Sequence, residues 1–153
     1  MNTISIKRFI AIAATTAVTF ASGAVGVYAG DGIDQMNGTI IDSYTGLVWL
    51  KNANCFGAKS WQEASDSVAG LQSGKCGLND KSKAGQWRLP SDTEQIIRMA
   101  RTSGFVNIQT GYYWTSTHPA SYSPNDYYAV TVGSATWFDK ANAFYVWPVR
   151  NAK

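Results

Sequence analysis

Two copies of one local pattern constrain this chain more than anything else in it. Ser60-Trp-Gln-Glu63 and Ser91-Asp-Thr-Glu94 each set a hydroxyl ahead of a glutamate at capping-box spacing. The hydroxyl accepts from the backbone N–H of the glutamate, and the glutamate reaches back to the N–H of the serine, so each pattern starts a helix. Behind the first, Trp61, Ala64, Val68 and Leu71 recur on one helical face, and Ser73-Gly74 is the expected stop. Behind the second, Ile96, Ile97 and Ala100 form the apolar face, with Arg98 and Arg101 outside and Gly104 as the expected C-cap. Beyond Phe105 no helix signal remains.

The rest of the chain reads as strands. Asp42-Ser-Tyr-Thr-Gly46 is a turn that leads into an apolar strand over 47–51. Residues 112–117 and 127–132 are rich in aromatic and β-branched types, and 135–139 is the hairpin partner of the latter across Gly133-Ser134. A last strand covers 144–150, where Pro148 marks an edge or a bulge. Strand, helix, helix, then several strands is an α+β order with the helices gathered on one side. The length suits one domain.

The first residues are expected to be removed. Lys7 and Arg8 precede an uncharged apolar run from Phe9 to Val27, which ends in Val27-Tyr28-Ala29. This is the make-up of a secretory signal peptide over 1–29, cleaved after Ala29; a membrane anchor is the other reading of the run. The working chain is then 30–153, periplasmic or extracellular, and off the membrane once cleaved. Without Lys7 and Arg8 the 13 basic residues become 11 against 10 acidic, and the net charge falls from +3 to +1. Nucleic-acid binding calls for a stronger basic balance. Cys55 and Cys76 are both retained, and an exported chain with an even cysteine number is expected to pair them. Closing that loop is worth about 3 kcal/mol. Free thiols in a metal or redox site are the alternative, which the spacing does not fit.

Chemistry is hard to place. His118 is the only histidine and lies in a loop without a nucleophile elbow near it. Gly70-Leu-Gln-Ser-Gly-Lys-Cys76 is too short for a phosphate loop and follows a helix where a strand is required. Glu63 and Glu94 are explained as caps. Two candidate surfaces remain. One is aromatic: Tyr112, Tyr113, Trp114, Tyr122, Tyr127, Tyr128 and Trp137, of which strand alternation buries about half. The other is Ser123-Pro-Asn-Asp126, where Asn125 and Asp126 could serve a hard cation such as calcium but suit an ordinary turn better. No cofactor is expected.

In Gly85-Gln-Trp-Arg-Leu-Pro90 the glycine allows a turn, Trp87 and Leu89 face the core, and Pro90 leads into the second helix. Alternation points Arg88 the other way, to brace a loop rather than to touch a ligand.

These stretches together resemble the Lcl C-terminal domain family, named for a collagen-like adhesin. The matching segments are Asp42 to Cys55 with Trp49, Ser60-Trp61, Leu71 to Leu78, Ala84 to Pro90 with Trp87, Arg88 and Leu89, Tyr113 to Thr117, and Tyr145 to Arg150 with Trp147 and Arg150. They run from about Asn37 to Arg150. Asp80-Lys81-Ser82 stands where the family usually has Asp-Gly-Ser. The resemblance implies a C-type-lectin-like fold: two helices packed on a small twisted antiparallel sheet, with a long loop region. The Glu-Pro-Asn and Trp-Asn-Asp calcium motifs of other proteins of that fold do not occur here. The family also implies surface attachment, for which Lys75, Lys81 and Lys83 are the candidate basic cluster.

The expectation is therefore an exported, non-catalytic binding and adhesion module. Its ligand is a glycan or a protein surface, met through a loop face built around Tyr112, Trp114, Tyr122, Asn125, Asp126, Tyr127 and Trp137, with Lys81 and Lys83. One alternative is a structural subunit of a surface assembly, formed by self-association. Another is an enzyme related to formylglycine-generating oxidases, whose cysteine pair lies late in the chain.

Overall fold

The computed structural model describes residues 27–29, 32–91, 93–118, 124–131 and 134–152. The expected leader lies outside these residues except at its end. There Val27–Ala29 forms β1, paired with Gly32–Asp34 (β2). β2 continues antiparallel into Thr39–Asp42 (β3), and β3 into Val48–Leu50 (β4). The chain's last strand, Val149–Arg150 (β10), closes this first sheet against β4, in the order β1-β2-β3-β4-β10.

A second five-stranded sheet holds Ala58–Lys59 (β5), Tyr113–Trp114 (β6), Asp126–Thr131 (β7), Ser134–Asp139 (β8) and Phe144–Tyr145 (β9), ordered β5-β9-β6-β7-β8. The β6–β9 pair is parallel. The fold is thus α+β as expected, but with two sheets instead of one antiparallel sheet. The single strand expected over 144–150 is the reason: it splits into β9 and β10, one in each sheet. Trp147 and Pro148 make the crossing. The Trp147 indole donates to the Leu50 carbonyl at 2.8 Å, and the Pro148 carbonyl accepts from Leu50 N–H at 3.1 Å. Proline has no N–H to continue a ladder, so the strand breaks there.

The first helix, Trp61–Ala69 (α1), begins with the expected capping box: Ser60 Oγ accepts from Glu63 N–H, and Ser60 N–H donates to Glu63 Oε2 at 3.1 Å. It ends earlier than Ser73-Gly74. Gly70 is its C-cap, the Ala69 carbonyl is taken by Gly85 N–H at 2.7 Å, and Lys75 Nζ reaches the Gly70 carbonyl at 3.1 Å. A cation and a backbone donor thus satisfy the helix end. The second helix, Thr93–Met99 (α2), buries Ile96 and Met99, with Ile97 and Ala100 only half-buried. Of its expected cap, Ser91 is exposed, and the Glu94 side chain lies outside the described residues. Gly104 does not cap it. The chain leaves through turns closed by Arg101 N–H to Arg98 O and Thr102 N–H to Met99 O, both at 3.0 Å.

One core joins the sheets and helices. Trp49, Trp114 and Trp147 are fully buried, with Trp87 and Leu89 almost so. Trp147 lies edge-on to Trp49 at 5.4 Å and to Phe105 at 4.9 Å. The Cys55–Cys76 disulfide forms, with Cα atoms 5.7 Å apart. It pins the 73–84 loop beside the β2–β3 turn, where Asn79 N–H donates to the Asn37 carbonyl at 2.8 Å. At Gly38 a Cβ would overlap the Gly77 carbonyl, so this approach admits only glycine. Among the described residues no helix is long and apolar enough to cross a membrane.

Candidate functional site

The second sheet gathers much of the expected aromatic surface, but not as the sequence arranges it. β7 and β8 pair with Tyr127 opposite Phe138 and Tyr128 opposite Trp137. Alternation sends the two tyrosines to opposite faces. The Tyr127 ring stacks on Trp61 of α1, with centroids 3.8 Å apart and planes 20° apart. The Trp61 indole N–H donates to the Thr115 carbonyl at 2.8 Å, which fixes the ring. His118 stands edge-on to Tyr127 at 5.2 Å and is exposed. On the other face Tyr128 and Trp137 meet at 4.0 Å as a cross-strand pair. All four large rings are half-buried.

Two other candidates are placed differently. Trp114 is fully buried, its indole N–H held by the Lys59 carbonyl at 2.8 Å, so it supports the sheet and offers no contact surface. Tyr112 is half-buried in a cluster with Phe138 at 4.8 Å and Phe144 at 5.4 Å. Tyr113 is buried, and its hydroxyl accepts from Gln109 N–H at 2.7 Å. Burial pushes that phenol above its ordinary pKa. Tyr122 lies outside the described residues.

Asn125 and Asp126 begin the β7–β8 hairpin. The Asn125 carbonyl accepts from Lys140 N–H at 2.8 Å, and Asp126 lies opposite Asp139. Among the described residues no three His, Cys, Asp or Glu side chains gather as a metal would require. The lysines are on a different part of the molecule. Lys81 and Lys83 are exposed on the disulfide-pinned loop, while Lys75 is committed to the end of α1. The aromatic rings and the lysines therefore do not form one patch.

The signature residues divide as well. Trp87 and Leu89 are buried as expected, Trp49, Pro90 and Trp147 are buried too, and Arg88 is exposed. Trp61 joins the aromatic surface. Arg150 is buried beside Asp80, with Nη2 to Oδ2 at 2.9 Å, and its guanidinium lies 5.2 Å over the Trp87 ring. Asp80 also accepts from Ser82 Oγ at 2.6 Å, and Ser82 Oγ accepts from the Trp87 indole at 3.1 Å. Burial works to raise the Asp80 pKa, but the hydrogen bonds from Ser82 and Arg150 outweigh it and hold it below the usual range. The same balance lowers Asp42, which Arg98 grips with both Nη atoms, and Asp34, which Lys51 pairs. Arg98 is therefore not a free outer residue of α2, as the helical pattern suggested. No local pattern announces these pairs, since their members lie far apart in the chain.

The family model for the Lcl C-terminal domain matches residues 38–150, most of the chain. A comparison with curated proteins finds no match.

Proposed function

The chain belongs to the Lcl C-terminal domain family, and on that premise we propose that it is an exported, non-catalytic binding and adhesion module whose partner is a glycan or a protein surface. The observation that carries this reading is the stacked Trp61–Tyr127 pair, half-buried and flanked by exposed His118. Aromatic rings anchored at one edge and open at the other suit sugar faces and protein hot spots. Trp61 is fixed by its indole hydrogen bond, so little ordering is left to be done on binding. Export is supported by the leader pattern and by the disulfide, a bond of oxidising compartments. The non-catalytic reading is supported by the cysteines, which are joined to each other and leave no free thiol for oxidase chemistry. The family resemblance and the α+β order support a C-type-lectin-like topology.

A glycan array and a heparin column, each run on the purified protein with and without calcium, test this reading. Binding that is lost in Tyr127→Ala is the expected result. Failure on both supports at physiological salt removes the glycan and leaves the protein partner.

A second reading, a structural subunit of a surface assembly, is favoured by β8. Its six residues pair only with β7 among the described residues, so its outer edge is open to another strand. Concentration-dependent sedimentation without ligand would favour this reading over the first.

A further inference from the structure

We propose that the cleft between the 85–88 segment and residues 150–152 is a binding site for the carboxylate, or equivalent oxyanion, of a small ligand. It lies on the first-sheet side of the molecule and shares no lining residue with the aromatic surface. Its volume is about 310 Å³, and the two segments of its wall are joined by backbone hydrogen bonds. Arg88 N–H donates to the Val149 carbonyl at 2.9 Å, and Val149 N–H donates back to the Arg88 carbonyl at 3.0 Å. That bridge sets Arg88 and Arg150 in adjacent positions of the wall.

The lining holds two arginines and no carboxylate. Asp80 neutralises Arg150 from outside the lining and is itself shared with Ser82. Arg88 meets only neutral acceptors, the Leu89 carbonyl at 3.2 Å and Asn151 Oδ1 at 3.5 Å, and has no carboxylate partner among the described residues. The wall is thus one positive charge in excess.

Its side chains also offer an unclaimed donor. Gln86 Oε1 is taken by Lys83 N–H at 2.9 Å, which leaves the Gln86 amide Nε2 without a partner among the described residues. Arg150 is more than nine-tenths buried, its Nη atoms are held by the Asn151 carbonyl and Asp80, and its Nε is sealed inside the wall, so it lends charge to the cleft while exposed Arg88 supplies the reachable guanidinium. A planar guanidinium fork pairs two oxygens at once, the geometry of a carboxylate. The cleft is at the small end of ligand sites, which fits one ring or a short chain bearing the acid group and not an extended polymer.

The test is an NMR titration of the purified protein, observing the arginine Nε–H signals and the amides of 85–88 and 150–152. Acetate, sulfate and neutral acetamide are compared at constant ionic strength. Saturable shifts confined to these signals with acetate, and none with acetamide, are expected. Saturation by acetate alone assigns a planar carboxylate, and saturation by sulfate as well assigns a general oxyanion; both support the site. Arg88→Gln, at an exposed position, should weaken acetate binding at least tenfold with an unchanged melting temperature. Gln86→Ala provides a second, milder loss. Tyr127→Ala should leave the titration unchanged, which separates this site from the aromatic one. Shifts that never saturate, that acetamide reproduces, or that persist in Arg88→Gln would overturn the proposal.

Discussion

The two sheets are stabilised in different ways. In and around the first, three aspartates from separate stretches are each tied to a distant cation: Asp34 to Lys51, Asp42 to Arg98, Asp80 to Arg150. Asp42 is fully buried. The β7–β8 hairpin of the second sheet instead carries aromatic pairs, Trp61 of α1 on Tyr127 and Tyr128 on Trp137. A buried charge pair is unforgiving, since losing one member strands the other. Aromatic rings tolerate partial exposure and exchange of neighbours. The charge-pinned sheet suits a scaffold, and the aromatic one suits a surface that meets partners.

Acid gives the broadest test of this contrast. The three aspartates have folded-state pKa values below their unfolded ones, so their stabilisation is present above the ordinary carboxylate range, near pH 4, and is lost as pH falls through the folded values. The melting temperature should hold from neutral pH to about pH 4 and then fall. Hydrogen exchange should lose protection at β3 and β10 before β7. A flat melting curve to pH 2 would remove the distinction.

Arg150→Met leaves Asp80 buried without its cation and should cost about 3–5 kcal/mol in urea unfolding. Adding Asp80→Asn to it should recover part of that loss. Replacing Cys55 and Cys76 together by Ala should cost about 2–4 kcal/mol, read from the same midpoints. In the aromatic region Tyr127→Ala should cost only about 1 kcal/mol of stability while abolishing partner binding. A loss of several kcal/mol there would mean that the pair is scaffold after all.

Lys81 supplies the smallest effect. Its φ of +59° is left-handed, the region that favours glycine. Lys81→Gly should stabilise the protein by about 0.5–1 kcal/mol, because the relieved strain exceeds the entropy glycine adds to the unfolded chain. No change in melting temperature would show that the loop relaxes without it.

Much of this was legible before any coordinates. Ser60 and Glu63 cap α1, Trp87 and Leu89 are core, the cysteines pair, and 135–139 belongs to the hairpin partner of β7, which begins one residue earlier, at Ser134. These rest on local rules, spacing and alternation, which hold whatever the rest of the chain does. The misplacements were of another kind. The run of aromatics over 112–114 offers Trp114 as a surface residue, whereas Tyr113, Trp114 and Thr115 are all buried together. The helical pattern sets Arg98 outside, yet it pairs with Asp42, and it sets Trp61 on the apolar face of α1, yet the ring stacks on Tyr127.

The sequence by itself determined the α+β order, the start of α1, the disulfide and the family, because capping, periodicity and covalent pairing act over short stretches or through specific residue types. Only the tertiary structure decided which cation meets which aspartate, that Trp61 faces Tyr127, and that the final strand divides at Pro148 between two sheets. Those outcomes depend on packing between segments far apart in the chain, where the energy of a contact is set by which groups are buried together, and no local pattern encodes that.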